Sequence, residues 1–157
     1  MNNTLEVLQR IESEAPAISE PRFIHSIKIG QSIRQGDIYV KRLDPTEENS
    51  IKQPQRDNQT NSFKEVPVKI FVKDYITPGQ NQLVPGFTMG SRHMVEQTDK
   101  VKVFINPTTT SPIVGPVIVA KDRFTISHPQ HAHFSLPEGC YGVFYQINGQ
   151  TLNRVKD

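Results

Sequence analysis

At 157 residues the chain is long enough for one compact domain that buries roughly 70% of its unfolded surface, and a single domain over 1–157 is the expectation. Eighteen Lys and Arg against sixteen Asp and Glu leave a formal charge of +2, scattered without a run of one sign, so charge offers no basis for a nucleic-acid or membrane partner. One cysteine, Cys140, excludes an intrachain disulfide, and the start "MNNTLEVLQRIESEAP" lacks the basic and apolar regions of a secretory signal; together these read as a cytoplasmic protein.

In chain order, the first element is helical. Leu5, Leu8 and Ile11 recur at a spacing of three, Asn3 or Thr4 can cap, and Pro16 ends the run, which predicts a short helix over 4–14. Its apolar face is narrow for a core element and suits docking on a second copy, so a homodimer is expected. From Phe23 the period changes to two. The runs "RFIHSIKI", "GDIYVKRL", "EVPVKIFVKDY", "VKVFI", "PIVGPVIVA", "DRFTI" and "CYGVFYQI" read as strands separated by turn residues, and no segment reaches the ~18 apolar residues of a membrane span. Seven or eight such strands predict an all-β, antiparallel sandwich or small barrel. Between them, Asp44 to Ser62 holds one large apolar residue in nineteen and reads as a mobile surface loop, 44–62.

The chemistry-bearing residues concentrate near the end. "FTISHPQHAHFSLPEGCYGVFYQ", Phe124 to Gln146, carries three of the five histidines. His131 and His133 share a face if that segment is extended, and Pro129 marks a bend that can swing His128 toward them. His93, in "MGSRHMVEQ", can join from a neighbouring strand, with Glu138 or Glu96 as a fourth ligand or base. Neutral imidazoles from two strands suit Zn, Fe, Mn, Ni or Cu. The rival reading is a polar loop whose histidines bond to backbone carbonyls. His25, in an apolar strand, reads as a structural histidine with one hydrogen-bond partner, Cys140 as a small buried hydrophobe, and "RQGD", Arg34 to Asp37, as a tight turn through Gly36. Ser91 precedes His93 by two but is not in a G-x-S-x-G elbow, which argues against a serine hydrolase.

"RQGDIYV", "VPGFTMGSRHMV" and "FTISHPQHAHFSLPEGCYGVFYQ" together resemble a family of small uncharacterised bacterial and phage proteins patterned RQGDv, GexTGHxH and HxEHxxixLPxGxYxVxxQ, over about Arg34 to Gln146. The resemblance implies a compact β domain with clustered histidines and carries no activity. It places His93 at the second histidine of GHxH and His128 and His131 at the HxxH pair. Ser91 replaces the first histidine of GHxH, Phe87 an acidic position and Gln130 a glutamate, so a metal site here would be reduced. A weaker similarity is to cupins: His131, His133 and Glu138 reproduce a His-x-His…Glu spacing, although Thr125 stands where a glycine belongs.

Two functions follow. One is a cupin-like, metal-dependent small-molecule enzyme, with His93, His128 and His131 as ligands, His133 as alternative ligand or base, Glu138 as fourth ligand, and Zn, Fe, Mn or Ni as Lewis acid or oxygen-activating centre. No organic cofactor is predicted. The other is a non-catalytic interaction or assembly protein with a degenerate histidine site.

Overall fold

The computed structural model describes residues 22–45, 63–66, 81–86, 88–105, 111 and 113–147. Among them, ten strands form two sheets. The larger sheet has the order β2 (Ser32–Gln35), β3 (Ile38–Arg42), β10 (Gly139–Tyr145), β7 (Val114–Ala120), β6 (Val101–Ile105) and β4 (Lys64–Val66). The smaller has the order β1 (Arg22–Phe23), β9 (Phe134–Leu136), β8 (Phe124–Ser127) and β5 (Met94–Val95). Pairing is antiparallel throughout except between β1 and β9. Among the described residues both sheets are open, ending at β2 and β4 and at β1 and β5. The predicted all-β sandwich is therefore present, whereas the closed barrel of the cupin analogy is not found among the described residues. The helix expected over 4–14 and the loop expected over 44–62, apart from Asp44 and Pro45, lie outside them.

The core follows from strand alternation. Val101 and Val103 of β6, Ile118 and Ala120 of β7, and Tyr141 and Val143 of β10 face Phe124, Ile126, Leu136 and Val95 of the smaller sheet in one buried cluster. The alternate residues Phe104, Val117, Val119 and Cys140 form a second buried cluster with Leu43 on the other face of the larger sheet. This double burial explains why "PVIVA" is apolar at every position, and Cys140 packs there as the small hydrophobe its surroundings suggest.

Two strand readings need correction. Of "RFIHSIKI" only Arg22 and Phe23 pair as a strand. Beyond them Ile24 N–H still donates to Ser135 O at 2.9 Å, and the Arg123 guanidinium donates to Ser135 O at 3.0 Å, Ile24 O at 2.9 Å and His25 O at 3.5 Å, so the Ile24 and His25 carbonyls are met by a side chain. Its carbon lies 3.8 Å from the centre of the Phe23 ring. His25 is accordingly exposed and outside the strand, not a structural histidine in an apolar one. The strands β5 and β9, two and three residues long, are too brief to register as periodic runs, and β2 ends within the "RQGD" stretch read as a turn.

At the centre of the main core Tyr141 is fully buried, packs its ring edgewise on Phe124 at 5.5 Å, and donates its hydroxyl to Pro137 O at 2.8 Å. Burial, opposed by the Arg42 guanidinium, raises its pKa above the ordinary tyrosine value, so it stays a donor. Tyr141→Phe leaves Pro137 O without this donor and should lower unfolding free energy by about 1–2 kcal/mol, read from the urea midpoint; an unchanged midpoint would show that the carbonyl finds another partner.

A buried histidine network between the sheets

The site begins with a tight turn. Gln35 pairs with Ile38, leaving Gly36 and Asp37 as a two-residue hairpin loop between β2 and β3, and Gly36 adopts a φ of 58°, which a side chain would resist. The turn delivers two buried side chains, Gln35 and Asp37, to one buried ring. His93, between the 3-10 turn Met89–Ser91 and β5, is fully buried, with Nδ1 2.7 Å from Gln35 Oε1 and Nε2 2.9 Å from Asp37 Oδ1.

The partners determine the protons. The Gln35 amide nitrogen donates to Ile126 O at 3.0 Å and Ala132 O at 2.7 Å, which orients the amide and turns its oxygen to His93. His93 Nδ1 must therefore donate. With Asp37 ionised its oxygen only accepts, so Nε2 donates as well, and His93 is then an imidazolium paired with Asp37 inside the sandwich. Gln35 and Asp37 come from the larger sheet, while His93 adjoins β5 and Ile126 lies in β8 of the smaller. The network thus ties the two sheets across their interface.

His128 lies against this pair, its ring centre 4.3 Å from that of His93 and 4.5 Å from that of His131. It is fully buried; its Nε2 donates to Gly90 O at 3.0 Å and its Nδ1 accepts the Gln130 N–H at 3.0 Å. One proton on one ring satisfies both contacts, so His128 is neutral. Burial, reinforced by the charge on His93 and opposed by the Gly90 hydrogen bond, pushes its pKa down to about 3.

The structure thus groups His93, His128 and His131, as the sequence pattern suggests, but not the other two candidates in the expected way. Residues 128–133 form the loop between β8 and β9, so the period-two argument for His131 and His133 does not apply. His133 Nε2 donates to His128 O at 2.9 Å. Glu138 is exposed, and the pairing of Phe124 with Leu136 puts it beyond the opposite end of the β8–β9 hairpin. Among the described residues no group of three or more His, Cys, Asp or Glu side chains is placed to hold a metal ion.

Sequence reasoning missed the residues that grip His93. "RQGD" was explained by its turn alone, yet Gln35 and Asp37 are both committed to the histidine. Arg92 was also missed: it is fully buried and donates through Nη1 to Gln82 Oε1 and, at 3.1 Å, to Gly86 O. The available signal was that a buried histidine needs polar partners and that "RQGD" supplies two near a strand end.

Fold and site define a small all-β protein held by an internal histidine network. A family model, a domain of unknown function designated DUF8820, matches residues 34–146, and the chain belongs to that family. The match runs from Arg34, beside Gln35, through His131, and so contains the whole network. No curated protein and no solved structure shows significant similarity to the chain.

His93→Ala removes the cation that faces Asp37 and the donor that faces Gln35. It should destabilise by about 3–5 kcal/mol in urea unfolding. A double-mutant cycle with Asp37→Asn should give a coupling energy above about 1 kcal/mol, while additive effects would mean that the two side chains do not interact.

Proposed function

We propose that this protein is a non-catalytic interaction or assembly module whose histidines maintain the sandwich. One observation supports the reading: all four ring nitrogens of His93 and His128 are engaged by protein groups. A ligand needs a free imidazole lone pair, and a general base needs one facing a substrate. His93 has none while it bonds Gln35 and Asp37, and the lone pair of His128 receives a backbone N–H. The metal-dependent enzyme reading, with Zn, Fe, Mn or Ni at His93, His128, His131, His133 and Glu138, would require His93 to abandon its ion pair and the hairpin to bring its two ends together. Among the described residues no helix is long and apolar enough to cross a membrane.

Elemental analysis of protein purified without a His tag should find no stoichiometric transition metal, and EDTA should leave the melting temperature unchanged. Metal near one equivalent, with stability lost on chelation, would overturn the reading.

For assembly we favour a second copy of the chain. Small open sheets leave edge strands that associate readily, and among the described large hydrophobics Phe23 and Ile29 are the most exposed, at 62% and 60%. Light scattering of the full chain at micromolar concentration should return the mass of a dimer. A monomer at every concentration would sink the self-association.

A further inference from the structure

We propose that the loop His128–His133 is a pH-operated latch, held shut while His128 is neutral and released when acid protonates that ring. The inference goes beyond the assembly reading and does not depend on it.

The latch rests on how completely the neutral ring is used. His128 Nδ1 receives the Gln130 N–H at 3.0 Å, so a proton added there would face another N–H at hydrogen-bond distance. Its ring lies 4.3 Å from a second imidazole, His93, whose partners already require it to be charged. Two cations at that separation within a buried site repel strongly. Among the described residues the titratable groups facing His128 are His93 from the segment before β5, His131 from its own loop and Asp37 from the β2–β3 turn. Asp37 is the one anion among them, and it is bonded to His93. The Gly90 carbonyl is already served by the Nε2–H of the neutral ring. A second proton therefore breaks one contact, adds a repulsion and, among the described residues, gains no new partner.

The direction with pH follows. The closed ring keeps its pKa near 3, whereas a released ring regains the ordinary value of 6.5, so opening takes up a proton between those limits. Stability of the closed loop is full above pH 6.5 and falls as the solution is acidified toward pH 3. Each unit in that window should favour opening by up to about tenfold. Opening would also be local. Further ties of the loop include Ala132 O to Gln35, His133 O to the Arg22 N–H, and the internal bond from His133 to His128 O. The main core strands β7 and β10 contribute none of them. Release would uncover one face of the His93 ring and admit water to its pair with Asp37, presenting a charged site that is hidden at neutral pH.

Hydrogen exchange tests the latch, measured on the intact chain from pH 7.5 to 5.0 and corrected for intrinsic rates. Amides of residues 128–133 should lose protection by up to about tenfold per pH unit relative to those of β7 and β10. His128→Gln keeps an amide donor for Gly90 O but takes up no proton, and should abolish that extra slope. Loop protection that tracks β7 and β10 at every pH, or a slope that survives in His128→Gln, overturns the proposal. Should the variant not fold, the wild-type histidine resonances decide. His128 should stay in its neutral form while the loop remains protected, and a His128 that titrates near pH 6.5 with the loop still closed overturns it equally.

Discussion

An imidazolium enclosed between a carboxamide oxygen and a carboxylate governs the interior of this protein. Desolvating one charge is costly, and a lone buried cation would be expelled or lose its proton. Here each ring N–H of His93 meets an oxygen, and Asp37 balances its charge within 2.9 Å. The pair is therefore tolerable only with the sheets assembled, because its members reach it from opposite layers. Its contribution is less a gain in total stability than a constraint on register. Sliding one sheet past the other would leave a carboxylate, an amide oxygen and a cation buried without each other.

Other features are arranged around that constraint. Gly36 permits the two-residue turn that sends Gln35 and Asp37 inward from neighbouring positions. Gln35 does double service, since its nitrogen holds Ile126 O in β8 and Ala132 O in the following loop while its oxygen holds His93. His128 then covers the charged ring as a neutral one, and its neutrality is imposed by a donor on one side and an acceptor on the other. The resulting stack of three imidazoles resembles a ligand cluster in sequence. In space it is a hydrogen-bonded assembly whose two buried members direct every nitrogen at protein.

The larger sheet shows how far strand patterning carries. The "PVIVA" run of β7 is buried on both faces, against the smaller sheet on one and within the Leu43, Phe104 and Cys140 cluster on the other. Gly115, in the same strand, allows Tyr145 to cross closely: a Cβ there would lie 2.8 Å from the Tyr145 ring and 2.9 Å from Val143 O. That passage lets the Tyr145 hydroxyl donate to Leu83 O at 2.9 Å. The irregular register between β10 and β7 falls in the same region, between Gly142 and Phe144.

By itself the sequence determined the all-β class, the longer strands β3, β6, β7, β8 and β10, the Gly36 turn, the burial of Cys140 and the proximity of His93, His128 and His131. Those are local matters of period, turn chemistry and burial, together with a recurring motif order that keeps distant segments in one site. Tertiary structure alone decided which atoms the histidines meet. The distances from Gln35 and Asp37 to His93 span more than fifty positions of chain, and neither periodicity nor spacing reports which atom a side chain will meet. The same holds for Glu138, close to the histidines in sequence but separated from them by the length of a hairpin. Protonation was equally out of reach, because the charge on His93 and the neutrality of His128 follow from which donors and acceptors surround each ring once the two sheets have closed on them.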